Sequence, residues 1–219
     1  MTWKAVLFII PLVFAAPSAF AQATSRTCPD AATDTDQPGP ACLMTRTEIG
    51  ELPAGDVYWH VSEFPDASAA QAQAQSLATP KSAVVQAFGK TFLFSIGPRT
   101  ADVPGTVQVG PLPVKIRDGD FVAEYLKSTF TPGMTAPVHV HSGPEAFYAV
   151  SGDTCLESPD GVQTAKGAGS SLIIREGPAM LLMATGTETR HGFALILHRK
   201  NSPPTTLVHD WMPKGLCHP

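Results

Sequence analysis

The sequence predicts a mainly β protein, an antiparallel barrel or sandwich preceded by a small α+β unit. Three observations carry this. From residue 101 onward, short apolar segments are broken at close intervals by Gly, Pro and Asp, as in many short strands joined by tight turns. Gly (18) and Pro (21) together make 39 of 219 residues, enough for a turn-rich fold and below the level that marks disorder. The one stretch suited to a helix, ASAAQAQAQSLA at 67–78, is short and follows Pro65-Asp66.

Taken in order, residues 1–21 read as a secretory signal peptide. Lys4 supplies the charged start, AVLFIIPLVFAA (5–16) the apolar core, and Ala19-Phe20-Ala21 a small-x-small cleavage site. The apolar run is short for a membrane span and contains Pro11, so no anchor is expected after cleavage behind Ala21. The mature chain is therefore expected in the periplasm or secreted. Residues 22–42 are polar and rich in Pro and Gly, a loop. Residues 43–100 form the small α+β unit, with strands at 56–64, 82–88 and 90–96 around the helix. The barrel occupies 101–202, with strands at 107–109, 114–116, 121–129, 138–141, 146–150, 154–157, 171–174, 180–184 and 193–198. Residues 203–219 are a tail whose Trp211 packs onto the barrel.

Charge excludes some partners. Lys and Arg number 15 against 19 Asp and Glu, a net charge of −4. No basic cluster is present, so nucleic acid is not an expected partner. Export gives the four cysteines meaning, because disulfides persist in an oxidising compartment. The favoured pairing is Cys28–Cys42, closing a short loop, with Cys155–Cys217 tying down the tail. No CxxC spacing suggests a thiol-based metal site.

The chemistry concentrates in GMTAPVHVHSGPEAFYAVSG at 133–152. Two histidines at i and i+2 on a strand project to one face, so His139 and His141 point together. Ser142-Gly143-Pro144 turns the chain, and Glu145 opens the next strand opposite the imidazoles. Two His and one carboxylate with open positions is the donor set of non-haem Fe(II) and related divalent ions. The flanking glycines suit turns that need positive φ.

The spacing Gly133-x5-His139-x-His141-x3-Glu145-x6-Gly152 resembles the first motif of the cupin superfamily at every fixed position. The resemblance covers about residues 105–200. It implies a cupin-type antiparallel jelly-roll barrel, with His139, His141 and Glu145 around a divalent transition metal (Fe, Mn, Ni, Cu or Zn) at its mouth. It also implies a homodimer as the default assembly. The second motif departs from the family pattern. Gly169-x5-Arg175-x-Gly177-x2-Met180-x3-Ala184 keeps the two glycines, but Arg175 stands for Pro, Ala184 for Asn and Met180 for the fourth-ligand His.

Met180 has three readings: an apolar side chain filling the vacated space, a soft thioether ligand favouring copper, or a position opened to water or substrate. Phe147 shares the face of Glu145 and is a candidate pocket wall. His191 is a candidate pocket residue through an alternative register starting from Gly186, and His198 has the opposite parity on the same strand. Arg190-His191 is read first as a solvated turn and second as a contact to an anionic substrate at the rim. Tyr148 is expected to pack outward, His60 to be a satisfied strand histidine, and His209 and His218 to be exposed.

Two functional classes follow. One is a mononuclear metal-dependent oxidoreductase, dioxygenase-like, or an isomerase, acting on a small organic molecule. The other is a non-catalytic periplasmic protein binding a metal or small ligand, and a metal that merely pins the hairpin is a third reading.

Overall fold

The computed structural model describes residues 26–31, 34–77 and 81–219. The expected signal peptide lies outside the described residues. Among them, no helix is long and apolar enough to cross a membrane.

The strands are β1 (Gly39–Gly50), β2 (Tyr58–Phe64), β3 (Ser82–Ala87), β4 (Lys90–Gly97), β5 (Thr106–Val109), β6 (Phe121–Phe130), β7 (His139–His141), β8 (Glu145–Ser151), β9 (Asp153–Ser158), β10 (Gly161–Ala165), β11 (Ser171–Ile174), β12 (Leu181–Thr185), β13 (Arg190–Arg199) and β14 (Thr205–Leu207), with one helix, α1 (Ala67–Ser76). The protein is mainly antiparallel β, as the sequence predicts.

A five-stranded sheet, β1-β6-β13-β8-β11, forms one wall of the jelly roll. The opposite wall combines β10-β9-β12 with β14-β7. Isolated bridges from Thr135 to Met183 and from His139 to Met180 join these two pieces. Between the walls lies an apolar cluster that includes Phe130, Phe147, Leu156, Ile174, Met180 and Leu182.

The large sheet is apolar on its other face too. Phe121, Ala123 and Tyr125 of β6 and Phe193, Leu195 and Leu197 of β13 point away from the barrel interior. They pack against Trp59, Val61, Phe92, Phe94 and Ile96 of a second sheet, β3-β4-β2-β5. The Phe193 ring meets those of Phe92 and Phe94 edge-on, with centroids 4.9 and 5.1 Å apart. Helix α1 contacts this second sheet and is capped by the Asp66 carboxylate, which accepts from the Ala69 N–H at 2.8 Å.

Three strands escaped the sequence reading. β1 pairs along β6 in the large sheet and begins at Gly39, within the stretch expected to be loop. β10 and β14 are short and offered little hydrophobic signal. The strand expected at 114–116 is absent. Pro111 and Pro113 remove two backbone donors there, and the segment follows Leu112 as irregular chain.

Both expected disulfides are present, Cys28–Cys42 and Cys155–Cys217. By loop length they restrict the unfolded chain by about 3 and about 4 kcal/mol respectively. The C-terminal segment is also held by Glu157, whose carboxylate accepts from the backbone N–H of Lys214 and, at 2.9 Å, of Leu216. At the other end, the arm at 26–28 lies beside β1, with Leu43 N–H donating to the Arg26 carbonyl at 2.7 Å. Lys127 fixes the following loop by reaching Asp34 and Asp36, each at 2.5 Å.

Candidate metal centre

The hairpin from β7 to β8 places the three expected side chains together. Their donor atoms all lie within 4.8 Å of one another. Gly143 makes the connecting turn feasible, because a Cβ there would fall 2.0 Å from the Leu197 carbonyl oxygen. The turn therefore lies directly on β13, and Leu197 N–H donates to the Pro144 carbonyl at 3.1 Å. Gly133 and Gly152, which bracket the motif, both have positive φ (85° and 71°).

Each imidazole is oriented from behind. His139 Nδ1 donates to the Pro137 carbonyl at 2.6 Å, and His141 Nδ1 to the Pro204 carbonyl at 2.8 Å. Both bonds leave Nε2 free to point inward as a lone-pair donor, the arrangement that orients metal-bound histidines. The rings stand edge-to-face with centroids 4.6 Å apart.

His141 and Glu145 are 5% and 4% exposed. Their Nε2 and Oε2 atoms lie 2.9 Å apart, yet neither has a partner of hydrogen-bonding geometry. Two buried polar atoms so close and so poorly aligned are aimed at a shared point rather than at each other. An unmatched buried nitrogen and oxygen are costly, and a cation between them and His139 would satisfy both. The donor set, two neutral nitrogens and one carboxylate, fits a divalent transition ion.

Electrostatics divides the two histidines. Burial lowers the His139 pKa below its usual 6.5, and the neighbouring His141 lowers it further. Burial also opposes charge on His141, but Glu145 outweighs this and raises its pKa. Glu145 thus favours positive charge at His141, and a metal ion would compete with a proton for that place.

The centre opens into a cavity of about 330 Å³. Leu126, Ser128 and Phe130 of β6, Phe147 of β8, and Ala194 and Ile196 of β13 supply much of its wall, and Arg26 reaches it from the arm. Phe147, the candidate pocket wall, is among the lining residues. Met180 does not line the cavity. It is 1% exposed within the interior apolar cluster, which is the space-filling reading.

His191 is not part of the cavity either. It faces out of the barrel, with Nδ1 2.9 Å from Ser151 Oγ and its ring 4.9 Å from that of Phe88. The inward parity belongs to Arg190, Gly192, Ala194, Ile196 and His198. His198 is buried with Nε2 3.7 Å from Glu124 Oε1. Arg190, first read as a solvated turn, is 1% exposed. Tyr148 points outward and stacks on Phe193, His60 reaches the Pro98 carbonyl at 3.1 Å, and His209 and His218 are exposed.

Sequence reasoning missed most of the wall, Arg26 and Ser128 above all. The alternation of β6 carried the only available signal, since Leu126, Ser128 and Phe130 share one face.

No family model and no curated protein matches the chain. Among solved structures, it is similar to an uncharacterized conserved protein with a double-stranded beta-helix domain from Klebsiella pneumoniae subsp. pneumoniae. That match has 22% identity and a TM-score of 0.35, covering 40% of this chain and 76% of the other. An oxalate oxidase in complex with the substrate analogue glycolate matches at 18% identity and TM-score 0.34, over 39% of this chain and 46% of its own. A cupin-like protein from Thermotoga maritima matches at 15% identity and TM-score 0.34, over 39% and 64%. The chain spans less than two thirds of the length of the latter two. By its own two-walled strand order and its complete first motif, the chain folds as a cupin-type jelly roll with a His-His-Glu cluster inside.

Proposed function

We propose that the protein holds one divalent transition metal ion through His139, His141 and Glu145. In this reading it acts as a mononuclear metal-dependent oxidoreductase, dioxygenase-like, on a small organic molecule. The observation that carries the proposal is the pair His141 Nε2 and Glu145 Oε2, buried, 2.9 Å apart and without hydrogen-bonding partners. A metal there would supply Lewis-acid or redox chemistry, and three protein ligands leave coordination positions for small molecules. The chain's own contribution is orientation and shielding. Pro137 and Pro204 fix the imidazoles, while Phe147, Leu126 and Ile196 keep the approach apolar. The two disulfides support an oxidising location, so we place the mature protein in the periplasm or outside the cell.

One observation favours a second reading, a non-catalytic binding protein. Apart from the three ligands, Arg26 is the one titratable group among the described residues lining the cavity, and it is no general acid or base at neutral pH.

Elemental analysis of protein made by an exported, oxidising route tests the centre. Wild type is expected to carry about one metal ion per chain, and the His139→Ala/His141→Ala variant none. Wild-type protein that takes up none of Fe, Mn, Ni, Cu or Zn would overturn the proposal. Aerobic, metal-dependent consumption of an organic substrate, lost in the variant, would separate enzyme from binding protein.

A further inference from the structure

Arg190 is among the largest fully buried side chains of the protein, and it forms no ion pair with any described carboxylate. Its hydrogen-bond partners are two hydroxyls: Nε donates to Thr154 Oγ1 at 2.6 Å and Nη1 to Ser128 Oγ at 2.9 Å. A guanidinium carries five N–H donors and stays charged in proteins. Burial lowers its pKa to about 10, which leaves it protonated at neutral pH. Glu145 is the carboxylate that offsets this charge, acting at a distance without salt-bridge contact, and it belongs to the proposed metal site, so the guanidinium has no counter-ion of its own.

The backbone makes room for this group specifically. A Cβ on Gly192 would lie 2.6 Å from Nη2 and 2.7 Å from Cζ, so the guanidinium rests on the Gly192 backbone. The next inward residue of β13, Ala194, lines the cavity. Ser128, directly opposite Gly192 in register, lines it too. Because Ser128 Oγ accepts from Arg190, its own proton is free for another acceptor. The cation behind the hydroxyl strengthens it as a donor.

The metal ligands lie further along the same barrel interior. Glu145 is level with Ile196, four residues from Gly192 on β13, or roughly 13 Å of strand. Leu126, Phe147 and Ala194 occupy the intervening level, and all are apolar. A divalent ion would draw on Glu145, the same carboxylate that offsets Arg190, and leave this interior more positive.

We infer that the cavity takes a small organic anion, whose carboxylate accepts from the Ser128 hydroxyl backed by Arg190. Its apolar body lies along Phe147, Leu126 and Ala194, and its other end faces His139, His141 and Glu145. The anion subsite needs no metal; only the direction of the far end rests on the metal reading proposed above.

The test is isothermal titration of the full chain with intact disulfides, using hexanoate and hexan-1-ol as probes, in metal-free and zinc-loaded forms. In the metal-free form hexanoate is expected to bind about tenfold or more tightly than hexan-1-ol. Ser128→Ala and Arg190→Gln are expected to erase that preference, bringing the hexanoate affinity down to that of hexan-1-ol. Ser128→Ala removes a single oxygen from the cavity wall, so it decides the matter even where Arg190→Gln does not fold. Equal binding of the two probes, absence of hexanoate binding, or a preference that survives Ser128→Ala would overturn the inference. Zinc content measured on the same samples reports on the metal reading separately, so the two can fail independently.

Discussion

Met180 and His139 face each other across the seam between the two pieces of the smaller wall. The Met180 N–H donates to the His139 carbonyl at 2.9 Å, and the His139 N–H returns a longer bond of 3.4 Å. Opposed residues of an antiparallel pair project to the same face, so the thioether lies on the interior side, packed with Phe130 and Phe147. At the position where the family pattern carries a fourth ligand, this chain carries part of its core.

Met180→Ala is therefore expected to cost about 2–5 kcal/mol of stability, by lost burial and a residual cavity. Metal content is expected to stay at the wild-type level. Chemical denaturation and elemental analysis on the same preparation check both halves, and loss of metal with little loss of stability would make Met180 a ligand.

Gly143→Ala would force a Cβ to within 2.0 Å of the Leu197 carbonyl oxygen. The turn can relieve this only by lifting from β13, which moves Glu145 relative to His141. A loss of about 1–3 kcal/mol is expected, with a weakening of zinc binding by about 10–100-fold, as for residues that orient metal ligands. Competition titration against a chelator gives the second number.

His60 sets an acid limit. Burial holds its pKa below 6.5, against the opposing pull of the Pro98 and Gly97 carbonyls. A depressed histidine binds fewer protons folded than unfolded, so its contribution is complete above pH 6.5 and is lost as pH falls through the folded value. His141 in metal-free protein has the reverse sign. Its contribution is complete below pH 6.5 and is lost as pH rises through its raised value. Thermal unfolding of metal-free protein between pH 6.5 and 5 reads His60 together with His139, whose pKa is also lowered, and the part of the decline that His60→Asn flattens is the share of His60.

The candidate centre was legible because its three side chains fall within seven consecutive residues, His139 to Glu145, and strand alternation with a short turn fixes their facing. The cavity was not, because its walls come from segments distant in sequence. Arg26 reaches it through an arm held beside β1, and Ser128 and Ala194 become neighbours only through the register of β6 with β13. His191 was misplaced for a related reason. Strand alternation says that His191 and His198 oppose each other, but not which of them faces inward. That choice follows from Phe193, Leu195 and Leu197, whose bulk belongs against the second sheet. Arg190 then turns inward by parity, onto a glycine that gives it space.

The second sheet also bears on how copies of this chain could meet. A sheet with two apolar faces has to be covered on both, and here Trp59, Phe92 and Phe94 from the same polypeptide cover the face turned away from the barrel interior. Each molecule thus brings the cover that a neighbouring subunit would otherwise provide. The face of the large sheet behind His139, His141 and Glu145 is already packed within one chain.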